Sequence, residues 1–274
     1  MQYLPDAERT KRMTTEELRQ HFLVTDLFQE GAVTLRFASI DRVIVGGIVP
    51  ATAPLDLEAT KEMASESFAE RREIGLLNIG GPGSIEVDDI TYDMARLDGL
   101  YVGRGSRDIK LASDDPNTPA QFYLVSYPAH AQYPTTYIRR EDADETILGS
   151  SENASLRRLR KYIRPGAVES AQLVMGITEV QEGSVWNTMP AHMHERRTEV
   201  YMYFDLEDDH VVFHLMGEPT QIRSLVVRTR EAVYSPGWSI HAGAGTGHYT
   251  FCWAMGGENQ DFDDMRFAAM EALC

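Results

Sequence analysis

With 274 residues, 43% of them hydrophobic, the chain can bury a sizeable core, while 42 acidic against 26 basic residues leave a formal charge of −16. That charge argues against nucleic acid as a partner, because phosphate backbones are held by clustered Lys and Arg, and no run of roughly eighteen or more apolar residues exists to span a bilayer. The opening Met1-Gln2-Tyr3-Leu4-Pro5-Asp6 lacks the basic and apolar regions of a secretory leader, and Cys252 and Cys274 form no disulfide framework, so a cytoplasmic, reducing setting is expected.

In chain order, Thr14-Thr15-Glu16-Glu17 opens a run to Leu23 that predicts a helix with a capping residue and early acids. Short apolar runs follow at 33–37, 42–49 and 74–79, separated by Gly, Pro, Asp and Asn, which is all-β punctuation. A polar stretch over residues 139–155 reads as a linker between two halves, 1–150 and 151–274. The densest basic run, Arg157-Arg158-Leu159-Arg160-Lys161-Tyr162-Ile163-Arg164, comes directly after it.

The next feature carries chemistry. His192-Met193-His194 places two imidazoles at i and i+2, on one face if the backbone is extended, and the flank Met189-Pro190-Ala191 favours extension. Glu199 opens a β-branched and aromatic segment that reads as the returning strand, and His241 follows a Pro236-Gly237 turn. Three imidazoles and a carboxylate without a thiolate suit zinc, iron, manganese, nickel or copper. The helical zinc-protease pattern is absent, since His194-Glu195 is followed by Arg196-Arg197-Thr198 and no second His one turn on.

This constellation resembles the two motifs of the cupin superfamily. The flanks, from Glu182 through Tyr201 and from Ser235 through Gly243, together with Gly46-Gly47-Ile48-Val49-Pro50 and the tail Gly256-Gly257-Glu258-Asn259-Gln260, resemble the 4-deoxy-L-threo-5-hexosulose-uronate ketol-isomerase family. The resemblance implies an all-β double cupin with a few short helices: a metal-free barrel in 1–150 and a metal-binding barrel in 151–274. It places one zinc ion on His192, His194, Glu199 and His241. It also implies interconversion of 5-dehydro-4-deoxy-D-glucuronate and 3-deoxy-D-glycero-2,5-hexodiulosonate in pectin breakdown, by a homo-oligomer, a hexamer. No organic cofactor is expected, and Gly80-Gly81-Pro82-Gly83 does not fit a dinucleotide loop. Two other classes share the pattern: a metal-dependent cupin oxygenase and a non-catalytic sugar-acid-binding double cupin.

An anionic substrate must overcome the global charge locally. Lys161 and Arg223 are the expected contacts to its carboxylate. Glu179, Glu195, His248 and Tyr249 have the chemistry of a general base, but sequence identifies none of them as catalytic. His21 and His130 read as structural histidines, whereas His210 or His214, between the metal motifs, can approach the site. An internal repeat is expected, with Glu73 opposite Glu199 and residues 98–105 opposite 236–243, so that Glu66, Phe68 and Gly103 replace the three histidines. The apolar Val43-Ile44-Val45 and Leu76-Leu77 are then available for burial against a neighbouring subunit.

Overall fold

The computed structural model describes residues 1–258 and 264–274; Asn259 and Gln260 of the familial tail lie outside the described residues. The expected N-terminal helix spans Thr15–Phe22. Thr14 Oγ1 accepts from the Glu17 amide at 3.2 Å and Glu17 Oε2 accepts from the Thr14 amide at 2.7 Å, a reciprocal capping box. Leu18 and Phe22, one helical turn apart, bury in a core shared with Tyr203, Leu225 and Val233 of the second half. No helix among the described residues is long and apolar enough to cross a membrane.

Apart from Thr15–Phe22, a one-turn helix Ala7–Thr10 and short 3-10 helices, the regular structure is β-sheet in a repeated plan. One large sheet runs in the order Thr136–Ile138, Gly99–Val102, Arg72–Asn78, Phe122–Pro128, Ile44–Ile48, Val33–Phe37. The other runs Leu23–Val24, Ala232–Ser235, Arg197–Phe204, Thr250–Gly257, Val174–Val180, Arg157–Ile163, Asp144–Leu148. A four-stranded sheet accompanies each: Leu55–Asp56, Ile109–Ser113, Gly83–Val87, Ile90–Met94 in the first half, and Trp186–Asn187, Ala242–Gly245, Val212–Met216, Arg223–Val227 in the second. The molecule is thus a double cupin. Asp144–Leu148 pairs antiparallel with Arg157–Ile163, so the stretch expected to be a linker contains a strand. Its polar Asp144, Glu145 and Thr146 precede the only apolar pair, Ile147 and Leu148, an edge-strand composition that reads as a loop.

Among the described residues, strand parity sorts most of the apolar side chains into three large cores, beside a small cluster of Ala191, Met193, Ile240, Ala242 and Ala268. Ile44, Ile74, Leu76, Leu100, Phe122 and Leu124 fill the first barrel, and Tyr201, Tyr203, Phe251 and Trp253 fill the second. Their alternates, Val45, Leu77, Tyr123 and Val125 from one sheet and Ile177, Val200, Met202 and Ala254 from the other, pack together between the barrels. The apolar residues expected to await a neighbouring subunit are therefore satisfied within the chain. Glycine permits the approach: a Cβ on Gly75 would lie 2.5 Å from Met175 Sδ, and one on Gly256 would lie 2.5 Å from the Tyr127 ring.

The repeat is present, but its register differs from the sequence alignment. Arg72–Asn78 corresponds to Arg197–Phe204, each lying between equivalent neighbours, yet Ile74 and Glu199 face the barrel interiors while Glu73 faces the second barrel. A shift of one residue exchanges the faces of a strand. Ile74, paired with Val102, thus takes the place that Glu199, paired with Ser235, takes in the second half. Gly103 follows that Val102 and matches the start of the Pro236 turn rather than His241, while Phe68 belongs to the first barrel's apolar core.

Glu73 has a different task. Fully buried, its carboxylate accepts the amides of Ala171 at 2.6 Å, Gln172 at 2.8 Å and Leu173 at 2.8 Å, and the Tyr101 hydroxyl at 2.8 Å. It therefore bolts a loop of the second half to the first. Glu73→Ala is expected to cost about 3–5 kcal/mol, because several buried donors lose their acceptor together. Urea denaturation measures this, and a loss below about 1 kcal/mol contradicts the assignment.

Candidate metal centre and its cavity

The four residues singled out by the motifs arrive from three pieces of backbone. His192 lies on the short strand His192–Met193, and His194 stands just beyond its end rather than within it. Glu199 lies on Arg197–Phe204. His241 follows a turn fixed by Ser239 N donating to Pro236 O at 2.8 Å, Gly217 N to Ser239 Oγ at 2.9 Å and Ile240 N to Gly217 O at 2.9 Å. A Cβ on Gly237 would sit 2.7 Å from the His194 carbonyl oxygen, so the Pro-Gly turn is also what lets the two motifs meet.

The four side chains converge. His241 Nε2 lies 3.1 Å from His192 Nε2 and 2.8 Å from Glu199 Oε2, His194 Nε2 lies 3.5 Å from the same oxygen, and one donor atom from each of the four falls within 4.8 Å of the others. Ligand bonds of about 2.0–2.1 Å in a tetrahedron put donor atoms about 3.3 Å apart, so this spacing fits a single small cation. Glu199 Oε2 is buried and, despite these approaches, has no hydrogen bond of acceptable geometry among the described residues. An orphaned carboxylate oxygen facing imidazole nitrogens is costly without a cation to satisfy it.

Electrostatics favour the ligating protonation states. Burial first, and then the neighbouring His241, hold the His192 imidazole down at about 3, leaving it neutral. Burial pushes the Glu199 carboxyl up, but His241 and His194 outweigh it and the net shift is downward, keeping the carboxylate ionised.

The cluster opens into a cavity of about 380 Å³ whose walls include Leu159, Met189, Phe251, Trp253, Met255 and Phe267. Parity divides the basic run. Arg157 and Lys161 line the cavity with Leu159, whereas Arg158 and Arg160 turn away to Glu145, and Arg160 also pairs with Glu179. Lys161 Nζ lies 3.2 Å from Asp144 Oδ2. Lys161 thus lies in the cavity wall.

Arg223 does not. Its guanidinium donates to the carbonyls of Thr10 at 3.0 Å, Lys11 at 3.3 Å and Met13 at 2.6 Å, tethering the N-terminal segment on the outer sheet. Position between the motifs in sequence is no guide here, since the intervening hairpin belongs to the opposite sheet. Arg157, which sequence reasoning leaves unassigned within the run, is the cation that joins Lys161.

None of the four candidate bases lines the cavity. Glu179 is held by Arg140 at 2.8 Å and by Arg160, Glu195 pairs with Arg266 at 3.0 Å on the surface, and His248 is exposed. The Tyr249 hydroxyl donates to Val185 O at 3.1 Å. His210 lies with Glu207 and Asp208 around a separate hollow. His214 does approach: its Nδ1 lies 2.8 Å from the Tyr203 hydroxyl, and its ring stands 5.6 Å from that of Tyr201.

Comparison with known proteins gives the family and the fold. A profile of the KduI/IolB family matches residues 24–270. The 4-deoxy-L-threo-5-hexosulose-uronate ketol-isomerase of Lachnoclostridium phytofermentans is 51% identical over 255 residues, covering 93% of this chain and 92% of that protein. The protein of the same name from Opitutus terrae is 48% identical over 274 residues, covering 100% of this chain and 99% of that one. Among solved structures, an IolB-like protein from Salmonella typhimurium LT2 superposes with a TM-score of 0.72 at 13% identity, over 90% of this chain and 96% of its own. The oxalate decarboxylase of Lactobacillus farciminis gives 0.60 at 11%, over 87% and 88%. These two share the fold.

His214 supplies a pH-dependent test. Burial, and then His241, lower its imidazole from 6.5 to about 3 in the folded protein. The unfolded chain therefore binds the proton first, and this contribution to stability is complete above pH 6.5 and is lost as pH falls from there toward 3. Replacing His214 with Gln in chelator-treated protein is expected to flatten the acid side of the stability curve by up to about 1.4 kcal/mol per pH unit. Urea midpoints at about pH 7, 6 and 5 measure it, and parallel curves for the two proteins refute it.

Proposed function

Because the chain belongs to the KduI/IolB family, we propose that it is a metal-dependent ketol isomerase acting on a uronate, interconverting 5-dehydro-4-deoxy-D-glucuronate and 3-deoxy-D-glycero-2,5-hexodiulosonate. His192, His194, Glu199 and His241 are the residues that would hold one divalent ion, zinc by the family likeness. The observation that carries this reading is the convergence of four donors on an orphaned Glu199 oxygen at the wall of a cavity lined by Arg157 and Lys161. Support for the sugar-acid substrate comes from relatives of that name at 48% and 51% identity over nearly the whole chain.

A ketol isomerisation moves a proton between neighbouring carbons while negative charge develops on oxygen. When bound, the ion supplies electrostatic stabilisation of that charge. Arg157 and Lys161 bind the substrate carboxylate and so fix which end of the chain faces the metal centre. Burial pushes the Tyr201 phenol well above its ordinary range, so its hydroxyl, 3.0 Å from Thr188 Oγ1, stays protonated and serves as a donor rather than a base. Phe251, Trp253 and Met255 keep water from the reacting end, which strengthens each of these interactions.

Residues 1–150 and 151–274 are read as the two barrels, except that Leu23–Val24 and Asp144–Leu148 join the large sheet of the second; the first supports the second and, among the described residues, carries no ligand set. Assembly as a homo-oligomer, a hexamer, and a cytoplasmic setting belong to the same reading. The exposed apolar side chains Ile90, Ile147, Phe213 and Phe267 support association. Light scattering over a range of salt and protein concentrations tests it, and a mass of 30.8 kDa throughout refutes it.

Metal analysis of protein purified without added metal, followed by NMR of the uronate incubated with it, tests the activity. One ion per chain with conversion to the 2,5-diulosonate is the expected result; bound metal without conversion defeats the proposal. Arg157→Gln is expected to raise KM about 10- to 100-fold with a smaller change in kcat, the loss of one charged hydrogen bond. An unchanged KM removes Arg157 from the substrate site.

A further inference from the structure

We propose that Asp264 is the positioning residue of the metal centre, fixing the tautomer and orientation of His194. The inference rests on the metal-site reading above. Asp264 lies 70 residues beyond His194 in sequence, and its Oδ1 stands 2.8 Å from His194 Nδ1. Arg197, whose side chain is wholly buried, grips the same carboxylate through Nη2 and through Nε, the latter at 3.2 Å from Oδ2.

The arrangement decides which ring nitrogen carries the proton. Arg197 Nη2 also lies 3.2 Å from His194 Nδ1, and a guanidinium can only donate. Were Nδ1 to accept from Arg197, the neutral ring would carry its proton on Nε2, aimed at Glu199 and at the ion. The shorter contact to Asp264 is charge-assisted and takes the Nδ1 proton, so the Nε2 lone pair faces the cluster. Arg197 holds the carboxylate in place for that task.

The same segment also steadies the other histidine of the motif. Phe267 is the strand partner of His192, Arg266 that of Met193, and Ala268 N donates to Ala191 O at 2.9 Å. One short stretch, 264–268, thereby holds both His192 and His194 from outside the cluster, one by a backbone ladder and the other by a carboxylate.

The test compares wild type, Asp264→Asn and Asp264→Glu, stripped of metal by a chelator. Zinc affinity is read by competition with a chromophoric chelator, the coordination shell by the visible spectrum of added cobalt, and the fold by the melting temperature of the metal-free proteins. Asp264→Asn is expected to bind zinc about 10- to 100-fold more weakly with an altered cobalt spectrum, while the metal-free melting temperature stays within a few degrees of wild type. Asp264→Glu, which keeps the carboxylate, is expected to recover part of the affinity. Equal zinc affinity in wild type and Asp264→Asn overturns the inference and leaves the metal reading standing. A wild type that binds no divalent ion overturns both. If Asp264→Asn melts far below wild type, the comparison moves to Asp264→Glu, and a glutamate variant that folds but binds no more tightly than the asparagine variant overturns the inference.

Discussion

The strand Arg197–Phe204 constrains everything else in the molecule, because its two faces are committed to different ends. Arg197, Glu199, Tyr201 and Tyr203 point into the second barrel, toward the metal cluster and the cavity floor. Thr198 bonds Asp41 of the first half, and Val200, Met202 and Phe204 pack into the core between barrels. All eight residues are buried, so any slip of register removes the Glu199 ligand and the inter-barrel contact together. The interface and the site therefore share one register.

The first half supports that strand from the rear. Burial raises the Asp41 carboxyl against the opposing effect of its bonds to Thr198, whose backbone amide donates to it at 3.0 Å. Glu73 supports the loop 171–173, which leads into the strand Val174–Val180, and that strand pairs with Thr250–Gly257 beside the Glu199 strand. The first barrel has Ile74 where the second has Glu199 and is filled by apolar side chains, and it presents polar groups on the face that touches its partner. The two halves share one strand order, and the division of labour follows from which face of each strand carries its polar residues.

Much of this is legible in the sequence, for physical reasons that can be named. The period-two spacing of His192 and His194, the following Glu199 and the His after Pro236-Gly237 specify convergence because extended backbone and a tight turn leave few other geometries. The helix is marked by Thr14 and Glu17, whose side chains and amides satisfy each other locally. What escapes such reading is nonlocal. Arg223 is misplaced by it because sequence distance from the metal motifs says nothing about which of two facing sheets a hairpin joins. Glu73 matches Glu199 by residue type, and a single step of register turns it to the opposite face. Asp264 carries no local signal, for its meaning depends on a histidine 70 residues away. Arg157 is hidden among equals until strand parity separates it from Arg158.

That separation also answers how so acidic a chain can receive an anion. The field of a charge of −16 falls off over about 8 Å in physiological salt, so the potential in a recessed cavity is set by the groups that line it. There Arg157, Lys161 and Arg197 line the wall with Glu199, Lys161 paired with Asp144 and Arg197 with Asp264 behind it, and a bound divalent ion would more than cancel the charge of Glu199. Glu145 and Glu179 are engaged by Arg158, Arg160 and Arg140 away from the cavity. Alternation along the strand Arg157–Ile163 thus aims Arg157 and Lys161 at the cavity while Arg158 and Arg160 hold Glu145 and Glu179 away from it. A divalent ion bound there would give the site a net positive charge while the chain as a whole stays negative.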